Sequence, residues 1–330
     1  MATTVGPYLR YGEALVAACA RAGTDYADLT GEPEFVDRMY VAYHDLAVRT
    51  GARLVHACGF DSVPHDLGAL FTVSQFDGSE PIRLRGYVRA GGSISGGTLA
   101  SAVNALGRHR PAAAAHRERR RLEPVSTDRH ARAVGGRPGF DRTVGSWVLP
   151  LPTIDPQIVV RSARALPVYG PDFSYGHFVA VHNPISAAAL AAGVGTAFVL
   201  AQLPPTRALL LRARPAGSGP TAEQRARGWF RVRFVAQSPS GQVVTEVAGG
   251  DPGYGETAKM LAESALCLAA DRASGPDGGA GPRAAGQLTT AQAFGEVLRR
   301  RLDRAGITFR VLSSTKDGGA IPRSGGAAST

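Results

Sequence analysis

The sequence predicts an α/β protein in which a parallel sheet precedes a second, α+β domain. In the first 80 residues, short apolar segments alternate with segments whose apolar residues recur at helical spacing, as in parallel strands covered by helices. Residues 229–236 and 242–249 alternate between polar and apolar side chains on either side of the turn Ser238-Pro239-Ser240-Gly241. This pattern predicts an antiparallel hairpin. We expect domains over residues 1–80 and 81–315, then a disordered tail over 316–330.

The first domain is predicted to contain three helices separated by two strands. In chain order, these elements cover residues 11–21, 24–29, 33–49, 53–57 and a helix that starts at about Ser62. Gly23 and Gly51 stand just beyond the first two helices, where a glycine commonly ends a helix. Tight alternation of this kind favours a parallel sheet.

The turn after the second strand is the centre of the prediction. Gly59 permits a tight turn, Asp61 or Ser62 can cap the next helix, and Pro64 fits the first turn of that helix. Open α/β sheets bind ligands at corners of this kind. Similar turns at residues 5–8 and 28–32 follow neighbouring strands, so we expect three strand ends to converge on one edge of the sheet.

The second domain is predicted to begin with an amphipathic strand over residues 82–90, with arginines on one side. A Gly/Ser-rich loop over 91–98 then opens a helix, and it is either an anion cradle or a flexible turn. The other predicted elements are a solvated helix and a poorly ordered excursion over 108–142, an extended stretch over 147–160, helices over 157–165 and 290–305, a helix opened by 253–257 and ending at 270, a loop over 273–287 and a strand over 307–312.

Residues 177–206 form an Ala-rich segment that contains no Asp, Glu, Lys or Arg. Its inner part, residues 185–203, is long enough to cross a bilayer, but small residues dominate it. We favour a buried or interfacial helical hairpin over a membrane span. We therefore expect this segment to contact a membrane surface. The protein itself is expected in the cytoplasm, peripheral to the plasma membrane.

The net charge of +10 comes almost entirely from arginine. Of the 37 basic residues, only Lys259 and Lys316 are lysines, which leaves 35 arginines. No aromatic-interleaved basic stripe or helix-turn-helix pattern accompanies them, so we expect no nucleic-acid partner. The charge better fits an anionic membrane surface, phosphates or acyl thioesters.

The sequence also limits the chemistry. Cys19, Cys58 and Cys267 are too far apart for a zinc spacing and suggest a reducing cytoplasm. No two-His carboxylate triad or nucleophile elbow is recognisable, so we expect neither a metal site nor a hydrolase. Tyr254 and Lys259 are five positions apart, one too many for the Tyr-x-x-x-Lys pair of short-chain dehydrogenases.

Four ordered blocks resemble the saccharopine dehydrogenase-like oxidoreductases, and within them the actinobacterial trans-acting enoyl reductases. The blocks are Thr4-Val5-Gly6-Pro7-Tyr8 with Tyr11-Gly12, Gly23-Thr24-Asp25-Tyr26, Asp28-Leu29-Thr30-Gly31-Glu32, and Cys58-Gly59-Phe60-Asp61-Ser62-Val63-Pro64 with Asp66-Leu67-Gly68. Ser95-Gly96-Gly97-Thr98, Gly253-Tyr254, Thr257-Ala258 and residues 295–309 also fit. The resemblance implies a Rossmann-like domain and NADP as cofactor. It also implies an acyl or lipid substrate, free or bound to a carrier protein, in the biosynthesis of polyketide-derived lipids and glycolipids.

The chain departs from this family at its start. Family members begin with a strand, a Gly-rich turn and a helix that bind the pyrophosphate, whereas this chain begins near the end of the fourth strand. We therefore expect an incomplete Rossmann-like sheet, an N-terminal truncation, and NADP binding that is impaired or absent. The alternative is a non-catalytic remnant that binds lipid or a partner.

The resemblance also implies the site residues. We expect cofactor contacts from Val5, Gly6, Pro7, Tyr8, Gly59, Phe60 and Asp61. The candidate catalytic groups are Tyr8, Asp61, Ser62 and Tyr254, with His65 as a further proton donor, although a capping or surface role for His65 is equally expected. The substrate is expected at Ser95, Gly96, Gly97 and Thr98.

Overall fold

The computed structural model describes residues 1–92, 103, 107–124, 128–203, 205–207, 209, 219–270 and 284–315. Its helices are α1 Tyr8–Tyr11, α2 Glu13–Ala22, α3 Pro33–Thr50, α4 Val63–Val73, α5 His109–Leu122, α6 Asp155–Ala165, α7 Pro184–Gln202, α8 Ala222–Ala226, α9 Gly255–Ala270, α10 Thr290–Ala293 and α11 Gly295–Arg304. Its strands are β1 Ala2–Thr3, β2 Tyr26–Asp28, β3 Arg53–Val55, β4 Ile82–Gly91, β5 His130–Ala133, β6 Gly139–Asp141, β7 Ser146–Pro150, β8 Asp172–Val181, β9 Trp229–Ser238, β10 Gly241–Gly249, β11 Gly286–Leu288 and β12 Thr308–Ser314. A short 3₁₀ helix covers Pro167–Tyr169.

The first sheet is parallel and has the strand order β1-β2-β3-β11 in the described part of the chain. Helices α2 and α3 end where Gly23 and Gly51 adopt left-handed backbone conformations, with φ of 65° and 77°. The predicted convergence is confirmed, because the strands run in one direction and β1, β2 and β3 all end at the same edge. The α/β fold class is therefore confirmed.

The second sheet is mixed and has the order β12-β10-β9-β4-β8-β7-β6, with β5 beside β8. The predicted hairpin is β9 and β10, which pair antiparallel from Gly241 opposite Ser238 to Gly249 opposite Phe230. The amphipathic strand β4 lies in the middle of this sheet, antiparallel to β9 and parallel to β8.

Helix α4 packs directly on the second sheet. A Cβ atom at Gly68 would lie 2.4 Å from the ring of Phe234, so only glycine permits this close approach. One turn further on, the hydroxyls of Thr72 and Thr245 are 2.6 Å apart. The helix that follows the central turn is therefore fixed to both sheets, and one continuous apolar core surrounds it.

Several sequence predictions are wrong in detail. Residues 177–181 belong to strand β8, and α7 is a single helix, not a hairpin. The helix continues through Gly193 and Gly195 because helical φ and ψ angles are open to glycine, at some cost in stability. The expected excursion and extended stretch over 108–160 contain β5, β6 and β7, which complete one side of the second sheet.

Two further differences concern the ends of predicted elements. The expected loop over 273–287 ends in strand β11, which pairs with β3 and so returns the chain to the first sheet. Neither Asp61 nor Ser62 caps α4 through its side chain, because the Ser62 hydroxyl donates to the Asp61 carbonyl instead. The domain limits at residue 80 stay a prediction. Residues 93–98 and the predicted tail over 316–330 lie outside the described residues.

Buried ion pairs hold the helices around the first sheet. Arg119, on the helix predicted to be solvated, is fully buried and binds Asp37 and Glu123. Arg161 also donates to Glu123, at 3.1 Å. This network joins α3, α5 and α6, so part of the arginine excess is internal and compensated.

Candidate functional site

The edge where β1, β2 and β3 end is organised by Asp28. One carboxylate oxygen accepts hydrogen bonds from the backbone N–H groups of Thr30 and Ala57, each at 3.0 Å. The other accepts the hydroxyl of Tyr26 at 3.0 Å and lies 2.6 Å from His56 Nδ1. Because Asp28 is fully buried, these four contacts replace its hydration and fix the relative positions of two loops.

Ala57 shows that the loop after β3 is under conformational strain. Its φ is 59°, a left-handed conformation that non-glycine residues rarely adopt. Its N–H is held by Asp28, and its methyl group packs with Val36, Ile154 and Ile158. Strain of this kind is often found where a fold positions functional residues.

The loop that follows Ala57 contacts helix α9, which also packs on β1 and β2. The N–H of Phe60 donates to the hydroxyl of Thr257 on α9, at 3.1 Å. A Cβ atom at Gly59 would lie 2.9 Å from Leu29 and 3.1 Å from Thr257, so this loop packs tightly on both sides. The predicted residues Gly59 and Phe60 therefore lie where the carboxyl edge of the first sheet meets α9.

Asp61 lies in the same loop, and its side chain is half-buried. A Cβ atom at Gly31 would lie 2.7 Å from Asp61 Oδ2, so glycine at position 31 makes room for this carboxylate. Burial raises the pKa of Asp61 above its ordinary value. Asp61 is thus suited to carry a proton closer to neutral pH than a solvated aspartate.

Tyr8 has a structural role at the same edge. Its hydroxyl donates to the Thr3 carbonyl at 3.1 Å and accepts the Leu29 N–H at 3.1 Å. Burial, with the nearby negative charge of Asp28, raises the pKa of Tyr8. The backbone N–H groups of Tyr8 and Leu9 donate to the carboxylate of Glu32, each at 3.0 Å. The N-terminus of α1 is therefore already occupied by an internal anion.

The remaining predicted residues have different surroundings. Val5 and Pro7 are half-buried and Gly6 is exposed, directly above Tyr8. Tyr254 lies one turn before Thr257, and its ring packs against Gly219. Its backbone N–H donates to Asp251 at 2.9 Å. Ser95, Gly96, Gly97 and Thr98 lie outside the described residues, and the catalytic and cofactor roles stay predictions.

A buried polar cluster that we did not predict lies next to this loop. It consists of His65 on α4, Asp155 at the start of α6 and His177 on β8. The Nε2 atoms of His65 and His177 are 3.6 Å and 3.4 Å from the two oxygens of Asp155. All three residues are buried, so the expected surface role of His65 is wrong, and the expected absence of a two-His carboxylate group does not hold.

Burial dominates the protonation of this cluster. It lowers the pKa of His177 to about 3 and lowers the pKa of His65 well below its ordinary value, with His177 adding to the second effect. Burial, with the charge of Asp61, raises the pKa of Asp155. Both imidazoles are therefore neutral at physiological pH. No sequence signal could have identified the group, because its members lie on three separate elements.

Asp66 links the central helix to the first sheet. Its carboxylate accepts from Ser162 at 2.6 Å, Thr290 Oγ1 at 2.8 Å and the Ala291 N–H at 2.7 Å. The last two bonds join α4 to the first turn of α10, which Thr289 caps immediately after β11, and the first bond joins α4 to α6. Asp66 is fully buried and thus has an internal structural role.

Two surfaces lie outside this edge. A cavity of about 370 Å³ lies on the face of the second sheet turned away from α4, and its lining includes Arg89, Arg231 and Trp229. Helix α7 is long and apolar enough to cross a membrane by length and composition, yet only 11% of it is buried. Ile185 is 80% exposed and Val199 is 62% exposed.

A parallel sheet and a mixed sheet, joined at the carboxyl edge of the first where the rings of Phe60 and Phe230 lie 5.0 Å apart, define this protein as an α/β protein with its candidate site at that edge. No family model matches the chain. A protein of Mycobacterium tuberculosis (strain H37Rv), provisionally named a trans-acting enoyl reductase, is 38% identical over 93% of this chain and 78% of its own length. A trans-acting enoyl reductase of Mycobacterium ulcerans is 34% identical over 95% of this chain and 79% of its own length.

The chain therefore belongs to the trans-acting enoyl reductase family of oxidoreductases, as its sequence motifs predicted. Among solved structures, the apo saccharopine dehydrogenase (L-Glu forming) of Saccharomyces cerevisiae has a TM-score of 0.48 and 10% identity, and the match covers 94% of this chain and 84% of that chain. At this score the likeness carries no weight for function.

Proposed function

We propose that the protein is a reductase that transfers a hydride from reduced NADP to the carbon–carbon double bond of an enoyl acyl substrate. The observation that carries the proposal is the identity of 34–38%, over 93–95% of this chain, to relatives that bear the enoyl reductase name. The acyl group is expected to be part of a polyketide-derived lipid or glycolipid precursor, either free or held by a carrier protein.

The described residues fit the nicotinamide end of the cofactor better than its pyrophosphate. Gly6 is exposed, and a Cβ atom there would meet nothing closer than the Tyr8 ring at 3.9 Å, so Gly6 and Pro7 leave room above the edge. Together with Phe60 and Asp61 they could hold the neutral nicotinamide and its ribose. The pyrophosphate does not fit the N-terminus of α1, because Glu32 occupies its N–H groups. We infer that these residues supply little of the phosphate affinity.

In this proposal the cofactor supplies the hydride, and the chain's own residues position the acceptor and handle the proton. Asp61 is the leading proton donor because its half-buried carboxyl has a raised pKa. The packing of Gly59 against Leu29 and Thr257 limits the access of water to one side of the loop. Tyr8 acts as a positioning residue, since its hydroxyl is engaged by two backbone groups.

We propose further that α7 contacts a lipid surface, where a hydrophobic acyl substrate would be found. The helix is apolar around its whole circumference and largely exposed, and burying such a surface in lipid is favourable. The same surface also supports the second candidate function, a lipid-binding protein without catalysis. A sedimentation assay with anionic vesicles tests this contact: Ile185→Glu with Val199→Glu should lower the bound fraction severalfold, and equal binding would contradict it.

The reductase proposal is tested with the purified 330-residue chain, NADPH and a medium-chain enoyl thioester, by following NADPH absorbance and the mass of the acyl product. We expect a mass gain of two hydrogens, and Asp61→Asn should lower the rate about 10²-fold or more. Asp172→Asn, on a partly exposed aspartate at the start of β8, is the matched control. NADPH titration by fluorescence measures the expected weak binding. Absence of both binding and turnover would favour the non-catalytic alternative.

A further inference from the structure

The buried cluster of His65, Asp155 and His177 has the spacing of ligands around one ion. Two ligand atoms at about 2.1 Å from a tetrahedral ion lie about 3.4 Å apart. The two imidazole nitrogens lie 3.6 Å and 3.4 Å from the carboxylate oxygens, and all candidate ligand atoms lie within 4.8 Å of one another.

These distances are not those of hydrogen bonds. In the same protein, His56 Nδ1 lies 2.6 Å from Asp28, as expected for a buried hydrogen-bonded pair. His177 Nε2 and Asp155 Oδ1 are buried and have no hydrogen-bond partner within the described residues. Leaving such atoms unsatisfied is unfavourable. An ion between them would satisfy both.

The surroundings orient the cluster. Tyr175 Oη lies 2.9 Å from His177 Nδ1, which directs the Nε2 atom toward Asp155. Thr153 donates its hydroxyl to the other Asp155 oxygen. The rings of His65 and His177 are nearly perpendicular, at 89°, with centroids 4.8 Å apart. Outer hydrogen bonds of this kind hold metal ligands in position in known sites.

Charge balance also favours a cation. In the described part of the chain, the ion-pair partners of Asp155 are these two histidines and no arginine or lysine. A buried carboxylate without a cationic partner is costly. A divalent ion would supply the missing charge.

We propose that His65, Asp155 and His177 bind a divalent transition-metal ion, Zn²⁺ or a chemically similar ion, that joins the central helix α4 to the second sheet. Two imidazoles and one carboxylate suit Zn²⁺ or Co²⁺ and disfavour Mg²⁺ and Ca²⁺, which prefer oxygen ligands. The ion would fix the loop before α4, since the Phe60 ring lies 5.4 Å from the His65 ring. This proposal does not depend on the reductase activity.

The test uses the full chain, stripped with a chelator and titrated with Co²⁺. We expect visible d–d absorption that saturates at one ion per chain, displacement by Zn²⁺, no response to Mg²⁺, and a higher melting temperature with metal. His177→Gln should abolish the absorption, and Tyr175→Phe should weaken binding about 10–100-fold. His130→Gln, on an exposed histidine of β5, should bind Co²⁺ as the unaltered chain does.

Two results would overturn the proposal. One is a folded chain that gives no Co²⁺ spectrum. The other is Co²⁺ binding that is unchanged in His177→Gln and in Asp155→Asn. If those two variants do not fold, as judged by circular dichroism, Tyr175→Phe decides, because unchanged affinity in this milder variant also contradicts the site.

Discussion

Asp28 should be the residue on which the carboxyl edge of the first sheet depends most. It accepts four hydrogen bonds in a fully buried position, two of them from backbone N–H groups. Asp28→Ala leaves all four donors without this acceptor, at about 1–3 kcal/mol each, partly offset because a buried charge is removed. We expect a loss of about 5 kcal/mol or more in the free energy of unfolding, comparable to the whole stability of many domains.

Asp28→Asn separates the geometry of this site from its charge. The asparagine oxygen can still accept the N–H groups of Thr30 and Ala57, while the charge-assisted contact with His56 is lost. We expect a loss of about 2 kcal/mol, measured by urea unfolding at pH 7 and 25 °C.

The control for both variants is Asp172→Asn on an exposed ion pair, which should change stability by less than about 0.5 kcal/mol. The reasoning fails if the alanine and asparagine variants lose equal amounts, or if alanine costs less than about 1 kcal/mol.

Three further predictions concern other parts of the fold. Ala57→Gly should change the free energy of unfolding in urea by less than about 1 kcal/mol, because relief of left-handed strain offsets the loss of the methyl group. The control is Ala47→Gly, at a buried helical position, which should lower the free energy of unfolding by about 2 kcal/mol. Similar losses of stability in the two variants would count against backbone strain at Ala57. Arg119→Met should cost about 3–5 kcal/mol by the same assay, since it removes the fully buried guanidinium that pairs with Asp37, while Arg161 still pairs with Glu123, and a loss below about 1 kcal/mol would contradict this. Burial, with the charge of Arg161, lowers the pKa of His44 in the folded chain. As the pH falls below about 6.5, His44 is therefore protonated in the unfolded chain before it is protonated in the folded chain, which favours unfolding. Stability should then decrease from pH 7 toward pH 5, and His44→Gln should reduce that decrease; identical pH profiles would refute the assignment.

The carboxyl edge was predictable because its signals are local. Gly23 and Gly51 mark helix ends, and the polar turns follow apolar strands directly. Parallel strands then place their ends together by geometry alone. The role of Tyr8 was not predictable, because a tyrosine in a turn could equally donate a proton or bridge backbone groups. Only the contacts of its hydroxyl with Thr3 and Leu29 distinguish the two.

Strand β11 of the first sheet and strands β5, β6 and β7 of the second sheet were harder to predict than the hairpin of β9 and β10. Strand β11 has three residues, and its backbone pairs with β3, far away in sequence. Strands β5, β6 and β7 contain arginine, glycine and proline, which weaken the strand pattern. The absence of charge over residues 177–206 was visible, but the boundary between the end of β8 and the start of α7 depends on pairing of Val181 with Trp147.

The position of the Gly59–Asp61 loop depends on residues from the C-terminal third of the chain. Strand β11 forms an edge of the first sheet, and the Gln287 side chain on it donates to the Val36 carbonyl at 2.8 Å. Thr257 holds the loop from the other side through Phe60. Residues 1–80 alone would lack both supports and would leave the apolar face of α4 exposed to water. The candidate site therefore depends on elements that follow residue 80 in the chain, and a fragment restricted to the first predicted domain should neither fold cooperatively nor bind a cofactor.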